Sequence, residues 1–284
     1  MSSLSFNKNQ IIEFINQCNV ESFDLSNYEF VDPVYWVVIK TLKKLKSTLK
    51  VHINPKSSAY SYVQYLFSRE DKKAKTTVPV REIQYHREIE KFVNELLNAA
   101  DITVEDWEDK NAFKYLLIEL INNAIDHGRS PAIACAQKFP AFQEMEIVVS
   151  DCGLGFLETI KRKYPDIQTY HSAIKKALEK GVTGSQIPLY GSSIKNIGMG
   201  LYVISKIINR IEGNMFIVSG NSFYSLKNDE SVNLNINWQG SIVALRFNLN
   251  KFQEDILDYG FNAYIEGLFH EEGEDIFLEG EDIF

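Results

Sequence analysis

Three short stretches of the sequence combine residue types that could bind a nucleotide. The first covers residues 119–128, where Glu119 and Asn123 are four positions apart. On a helix that spacing places both side chains on one face, one turn apart. The Asn oxygen is a suitable ligand for Mg2+, which takes oxygen ligands and keeps several waters. A carboxylate one turn away could then orient a water or a hydroxyl as the attacking group.

The second stretch is an apolar segment that ends in an acidic glycine turn. Residues 146–151 predict a strand, and Asp151 is followed by Gly153 and Gly155. Two glycines directly after a strand allow a sharp turn in which the backbone approaches a ligand closely. Asp151, held at the strand end, could accept a hydrogen bond from an exocyclic amine.

The third stretch places glycines at the beginning of a predicted helix. Gly198 and Gly200 precede a helical pattern that reaches about Ile211. Free backbone N–H groups and the positive end of a helix dipole both favour phosphate. This stretch therefore predicts a phosphate-binding turn.

Each motif alone has an ordinary explanation, as a solvated helix face, a turn or a loop. Their order along the chain is more specific, because an amphipathic helix is followed by a strand with an acidic turn, a long connection and a glycine turn. The apolar side of the first helix is supplied by Leu116, Leu117, Leu120, Ile121 and Ala124. The combination predicts one nucleotide site built from all three stretches.

Together the stretches resemble the N box and the two glycine boxes of the Bergerat-fold (GHKL) ATPases. This superfamily includes gyrase, the ATP-driven heat-shock chaperones, the histidine kinases and MutL. The resemblance covers residues 76–250 and implies an α/β sandwich of a mixed sheet and helices, a mobile lid at about 157–197, and ATP and Mg2+ as cofactors. It implies Glu119 as the general base, Asn123 as the Mg2+ ligand and Asp151 as the acceptor for the adenine amine. It also implies nucleotide contacts by Gly153, Gly155, Gly198, Gly200, Leu201 and Ser241, the last in place of the Thr of the family's Gly-Thr strand.

Residues 1–75 have a different pattern and predict a small α/β domain. A helix over residues 34–49 is predicted between two strands, with Asp32 suited to the N-cap and Pro33 to the first turn. The run 23–33 resembles the STAS domains, the anti-sigma-factor antagonist fold. Phosphorylated STAS members have Ser where this chain has Pro33, so the resemblance does not extend to phospho-switching there. A plain α/β capping subdomain is the alternative.

Composition limits the class of protein. The chain has 284 residues, 45% of them hydrophobic and 24% charged, as expected for a globular protein with a sizeable core. Its net charge of -8 argues against a general nucleic-acid partner. No segment resembles a membrane span or a leader, which predicts a cytoplasmic protein without a membrane partner. Residues 251–284 form an acidic tail with a repeated Gly-Glu-Asp-Ile-Phe, which is either a disordered segment or a docking peptide.

The resulting hypothesis is a cytoplasmic regulatory protein that binds Mg-ATP and either hydrolyses it or transfers phosphoryl to a regulatory protein partner. Its motifs resemble most closely those of the anti-sigma-factor serine kinases. One alternative is an ATP-gated clamp that forms a homodimer, like the heat-shock chaperones or MutL. Another is a nucleotide-sensing module with little catalysis. A histidine kinase is disfavoured, because the phosphoacceptor helices are missing.

Overall fold

The computed structural model describes residues 2–67, 76–100, 114, 117–182 and 200–259. Over these residues the chain is a mixed α/β protein, which confirms the predicted fold class at that level. The Bergerat and STAS architectures stay predictions. Most of the predicted linker, the end of the predicted lid and the acidic repeat lie outside the described residues.

The N-terminal part contains short strands and helices that alternate. Two pairs of parallel strands, β1 with β3 and β2 with β4, form two-stranded sheets. The helices start at favourable residues, since the side chains of Asn7 and Ser57 cap α1 and α3 and Pro33 opens α2. The bounds are β1 Ser2–Leu4, α1 Lys8–Asn16, β2 Ser22–Asp24, β3 Tyr28–Val31, α2 Pro33–Leu45, β4 Lys50–His52 and α3 Ser58–Leu66.

The remaining elements build one large sheet and a layer of helices. Along the chain they are β5 Thr77–Ile83, a 3-10 turn at His86–Glu88, α4 Ile89–Ala100, α5 at residues 117–122, a π-helical turn at Asn123–His127, β6 Ala132–Phe139, β7 Glu144–Asp151, α6 Gly155–Ile160, α7 Tyr170–Ala177, α8 Gly200–Arg210, β8 Asn214–Ser225, β9 Glu230–Asn248 and α9 Leu249–Tyr259. The strand order in the sheet is β5-β6-β7-β9-β8.

The large sheet differs from the predicted mixed sheet, because all four of its pairings are antiparallel. The β6–β7 and β8–β9 connections are hairpins, and a hairpin joins antiparallel strands. Parallel pairing among the described residues is confined to the two small N-terminal sheets. The expectation of parallel strands within the main sheet is therefore wrong.

Both faces of the large sheet are covered. Along β7, Met145, Ile147 and Val149 point into the core shared with α4, α5 and α8. The alternate residue Val148 belongs to a second core that also contains residues of α1 and α2. The N-terminal elements thus form a layer on one face of the sheet, and the later helices form a layer on the other.

A buried polar cluster joins the N-terminal layer to the sheet. The Arg246 guanidinium lies 2.7 Å from Asp32 Oδ2, 2.8 Å from Glu144 Oε2 and 3.5 Å from Glu146 Oε2. Glu146 Oε1 accepts a hydrogen bond from the Val34 N–H in the first turn of α2, at 2.9 Å. Burial raises the pKa of both Asp32 and Glu146. Asp32 is the N-cap residue of α2, as predicted, but its side chain makes no capping hydrogen bond because Arg246 and the Phe6 N–H engage it.

Three element boundaries differ from the sequence expectations. The apolar patterns at 232–238 and 242–249 predict two separate strands, but the structure has one strand, β9, which bends at Gly240 with φ of 81°. The apolar spacing over 83–99 predicts a helix from Ile83, but helix α4 begins at Ile89, after an extended segment and the 3-10 turn. The tail predicted from residue 251 begins with α9, whose Phe252 is buried beside Phe247.

The described part of the predicted lid is packed rather than isolated. The helix predicted over 172–179 is present as α7, two residues earlier. Ile160, Ala173 and Ile174 are buried in the core on the helical side of the sheet. No helix within the described ranges is long and apolar enough to cross a membrane.

Candidate functional site

Helix α5 and the π-helical turn after it carry Glu119 and Asn123. Leu117, Leu120 and Ile121 are buried against the sheet, as the amphipathic pattern predicts, and this anchors the helix. The helix widens at Asn123, whose carbonyl accepts from the Gly128 N–H at 3.2 Å, five residues on. Single π-helical turns occur frequently at functional sites.

The Glu119 carboxylate is partly shielded from water and lies near a second negative charge, that of Asp126. Burial, and secondarily the nearby Asp126, raise its pKa to about 7. Asp126 in turn pairs with His86, whose Nε2 lies 3.1 Å from Asp126 Oδ1. A carboxylate with a pKa near neutrality can accept a proton and release it again, as a general base must.

Glu119 also contacts Gly200, the first residue of α8. A methyl group at Gly200 would lie 2.1 Å from Glu119 Oε2, so only glycine leaves space for the carboxylate in this position. The carboxylate is therefore close to the N-terminus of α8, where the helix dipole favours negative charge. Leu201, the next residue, is buried in the core on the helical side of the sheet. Gly198 lies outside the described residues.

Asp151 ends β7 and is the most buried carboxylate of the candidate site. It is 1% exposed, and its oxygens accept from the Gly153 N–H at 2.8 Å and from the Ser241 hydroxyl at 2.5 Å. Burial raises its pKa to about 6, although these hydrogen bonds favour the charged form. The strand pairing sets Asp151 directly opposite Ser241.

The glycines of the acidic turn are required for close packing. A methyl group at Gly153 would lie 1.6 Å from the Gly128 carbonyl oxygen, and one at Gly128 would lie 2.6 Å from Asp151 Oδ1. Gly155 has φ of 72° and packs against Ser219 Oγ, which accepts from the Phe156 N–H. The end of the π-helical turn and the acidic turn are therefore in direct contact. Nucleotide contacts by Gly153 and Gly155 stay a prediction.

The structure thus brings Glu119 to Gly200, and Asp151 to Ser241 and to the end of the π-helical turn. Asn123 lies between these places along the chain, one helical turn after Glu119. No group of three or more His, Cys, Asp or Glu residues suited to a metal ion occurs in the described part of the chain. A Mg2+ ion that arrives with a nucleotide needs only one or two protein oxygens, and the Asn123 carboxamide fits that requirement.

Several residues of the site were not identified from the sequence. Ser219, Ser150 and Thr41 are buried hydroxyls that connect to Asp151 or to its turn, and His86 reaches Asp126. The available signal was a lone hydroxyl within an apolar run, as at Ser150 in the β7 strand and Thr41 in α2. A buried polar side chain needs a partner, so an isolated one in such a run points to a specific contact.

Comparison with models of known protein families yields no match for this chain, and neither does comparison with curated proteins.

Proposed function

We propose that the chain is a regulatory protein that binds Mg-ATP between α5, the turn after β7 and the start of α8. The observation that carries this proposal is the contact of the Glu119 carboxylate with Gly200, the first residue of α8. That contact joins the proposed general base to the proposed phosphate-binding turn. The packing of Gly128 against Asp151 adds the proposed adenine acceptor to the same region.

Asp151 supplies base selectivity in this proposal. The Asp151 carboxylate accepts from the Gly153 N–H and from the Ser241 hydroxyl. A carboxylate has about four lone-pair sites, which leaves acceptor capacity for a ligand donor. The exocyclic amine of adenine donates to such an oxygen. Guanine presents a carbonyl at the equivalent ring position, which a carboxylate repels. We therefore expect ATP to bind more tightly than GTP.

Glu119 supplies the base for phosphoryl transfer. With a pKa of about 7 it is partly ionised at neutral pH and can take the proton of an attacking water or hydroxyl. Asn123 would hold the Mg2+ ion, which neutralises phosphate charge when it is bound with the nucleotide. The backbone N–H groups at the start of α8 would face the phosphates.

The proposed biological class is a cytoplasmic phosphoryl-transfer regulator that acts on a protein partner, as the resemblance to anti-sigma-factor serine kinases implies. Hydrolysis without a partner is the simpler form of the same chemistry. The test is ATP and GTP binding by calorimetry, with phosphate release, for the purified full chain and its Glu119→Gln variant. We expect Glu119→Gln to bind ATP and lose turnover.

Two results would overturn this proposal. The first is the absence of ATP binding at millimolar concentration, and the second is normal turnover by Glu119→Gln. If the wild type binds ATP without turnover, we expect a kinase that needs its phosphoryl acceptor. That acceptor is sought by labelling co-purified proteins with γ-labelled ATP. A change of oligomeric state with ATP on size exclusion would instead favour the clamp.

A further inference from the structure

A line of hydrogen bonds, which passes through the backbone of Ser241, connects the N-terminal layer to the carboxylate of Asp151. The single hydroxyl proton of Thr41 is shared between the Val37 carbonyl, at 2.8 Å, and Ser150 Oγ, at 3.1 Å. Ser150 Oγ donates to the Ser241 carbonyl at 2.8 Å. The Ser241 hydroxyl then donates to Asp151 Oδ2 at 2.5 Å.

This line crosses the sheet from one face to the other. Ser150 points toward α2, and its neighbour Asp151 points toward the candidate site, because side chains alternate along a strand. Thr41 is fully buried and Ser150 is 1% exposed, so water does not compete for these bonds. Thr41 and Ser150 are therefore oriented mainly by their protein neighbours, whereas Ser241, at the site end of the line, is half-buried.

The line ends at the bend of β9, where the strand is least regular. Gly240 has φ of 81°, and the register between β8 and β9 shifts next to it, after the Ser219–Ser241 pair. On the other side of the bend, the Gln239 amide donates to the Cys152 carbonyl at 2.9 Å. Ser241 is the last residue before this irregular segment that pairs with both neighbouring strands, and its hydroxyl adds a side-chain hydrogen bond to Asp151.

We propose that Thr41 is a positioning residue for adenine recognition, acting through Ser150 to hold the Ser241 hydroxyl on the Asp151 carboxylate. Through this line, the packing of α2 on the sheet controls the donor that keeps Asp151 charged. The N-terminal layer then regulates nucleotide affinity from the face opposite the site. This inference rests on the proposed function, since it assigns a role in binding the same adenine.

Few other groups influence Asp151. The causes of its raised pKa are burial, opposed by the Ser241 hydroxyl and by backbone N–H groups of Gly153 and Ser241. The neighbouring Cys152 thiol has a pKa raised to about 11 by burial, so it stays neutral between pH 4 and pH 8. Lys44 and Glu82, which form an ion pair, act on the Cys152 thiol and are not among the causes of the Asp151 pKa shift. If a substitution at Thr41 changes the pH dependence of the free energy of unfolding, the change can therefore be attributed to this line of hydrogen bonds.

The experiment compares Thr41→Val, which removes the hydroxyl with little change of shape, with Thr41→Ser, which keeps it. Ile39→Val, on the same buried helix, controls for a loss of packing alone. In the ligand-free protein, urea unfolding is measured from pH 4 to pH 8 for these variants and for the Thr41→Val/Asp151→Asn double variant. We expect Thr41→Val to move the Asp151 transition upward by about half a pH unit or more, because a carboxylate that loses a donor has a higher pKa. Thr41→Ser and Ile39→Val should keep the wild-type transition, and the double variant should lack it.

ATP binding is then measured over the same pH range. The midpoint of the pH-dependent loss of ATP affinity should rise in Thr41→Val by a similar amount and return to the wild-type value in Thr41→Ser. If the wild type binds ATP and Thr41→Val leaves both pH midpoints unchanged, the inference fails while the proposed function stands. If the wild type does not bind ATP, the proposed function fails, and the role of Thr41 in nucleotide binding fails with it.

Discussion

Replacing Asp151 by Asn should stabilise the ligand-free protein at neutral pH and at the same time weaken its binding of ATP. The folded-state pKa of Asp151 is raised from 3.8 to about 6 by burial. Between these two values the folded protein holds a proton that the unfolded chain has lost, so stability falls as the pH rises. Each pKa unit corresponds to about 1.4 kcal/mol, which makes the loss up to about 3 kcal/mol at pH 7 and above.

Asn removes the titration and keeps the shape of the side chain. Its carbonyl can accept from the Gly153 N–H, and its NH2 group can donate to Ser241 Oγ, so the two hydrogen-bond partners remain usable. We therefore expect Asp151→Asn to gain about 1 to 3 kcal/mol at pH 7.5 and almost nothing at pH 4. A lost charge-assisted hydrogen bond to the adenine amine weakens ATP binding about 10-fold to 150-fold.

The assay is urea unfolding at pH 4, 5, 6, 7 and 7.5, together with calorimetric titration of ATP at pH 7.5. Asp166→Asn, which removes the same charge from an exposed position, is the matched control and should follow the wild-type curve. The reasoning is refuted if Asp151→Asn keeps the wild-type slope of stability against pH. It is equally refuted if the variant binds ATP as tightly as the wild type.

Three further predictions concern single positions. Glu119→Gln should lose ATP turnover, which phosphate release tests. Its gain in stability over the wild type should grow between about pH 4.5 and 7, as the Glu119 carboxylate ionises, and persist above pH 7, which unfolding tests. Gly153→Ala should lose about 3 kcal/mol or more, because its methyl group would lie 1.6 Å from a backbone oxygen. Gly181→Ala, with positive φ but open space, should lose only about 1 to 2 kcal/mol in the same unfolding assay. Arg246→Met should lose about 3 to 5 kcal/mol near neutral pH in the same unfolding assay, because it leaves the buried carboxylates of Asp32 and Glu146 without their cation. The loss should become smaller as the pH is lowered, because burial raises the pKa of both carboxyl groups.

Local patterns predicted many elements well. The sequence predicts a strand at 77–83, and β5 has these bounds. Helices α2 and α7 lie within a few residues of their expected positions. Glu119, Asp151 and Gly200 were predicted as site residues from the spacing within their motifs, and their roles stay predictions. Their spatial arrangement was not derivable from spacing, since it depends on how α5, β7 and α8 pack on the sheet.

The sequence was least informative where tertiary contacts override local preference. Gly240 interrupts the apolar alternation and favours a break, yet its positive φ lets β9 continue through a bend. Glu146 and Arg246 alternate with apolar residues and resemble a solvent-facing side of a strand. They are instead covered by α2, whose N-terminal N–H groups and Asp32 provide their partners. A strand that is apolar at consecutive positions, as at 147–149, was the available sign that both faces are buried.

The covering of the sheet by the N-terminal layer has a consequence for shorter versions of the gene. A polypeptide that begins at residue 76 would expose to water the sheet residues that now contact α1 and α2, among them Ile133, Val148, Val218 and Ile242. A continuous apolar face of this kind promotes self-association. It would also leave Arg246 and Glu146 without Asp32 and the start of α2. We therefore expect residues 76–284 alone to self-associate more than the full chain does.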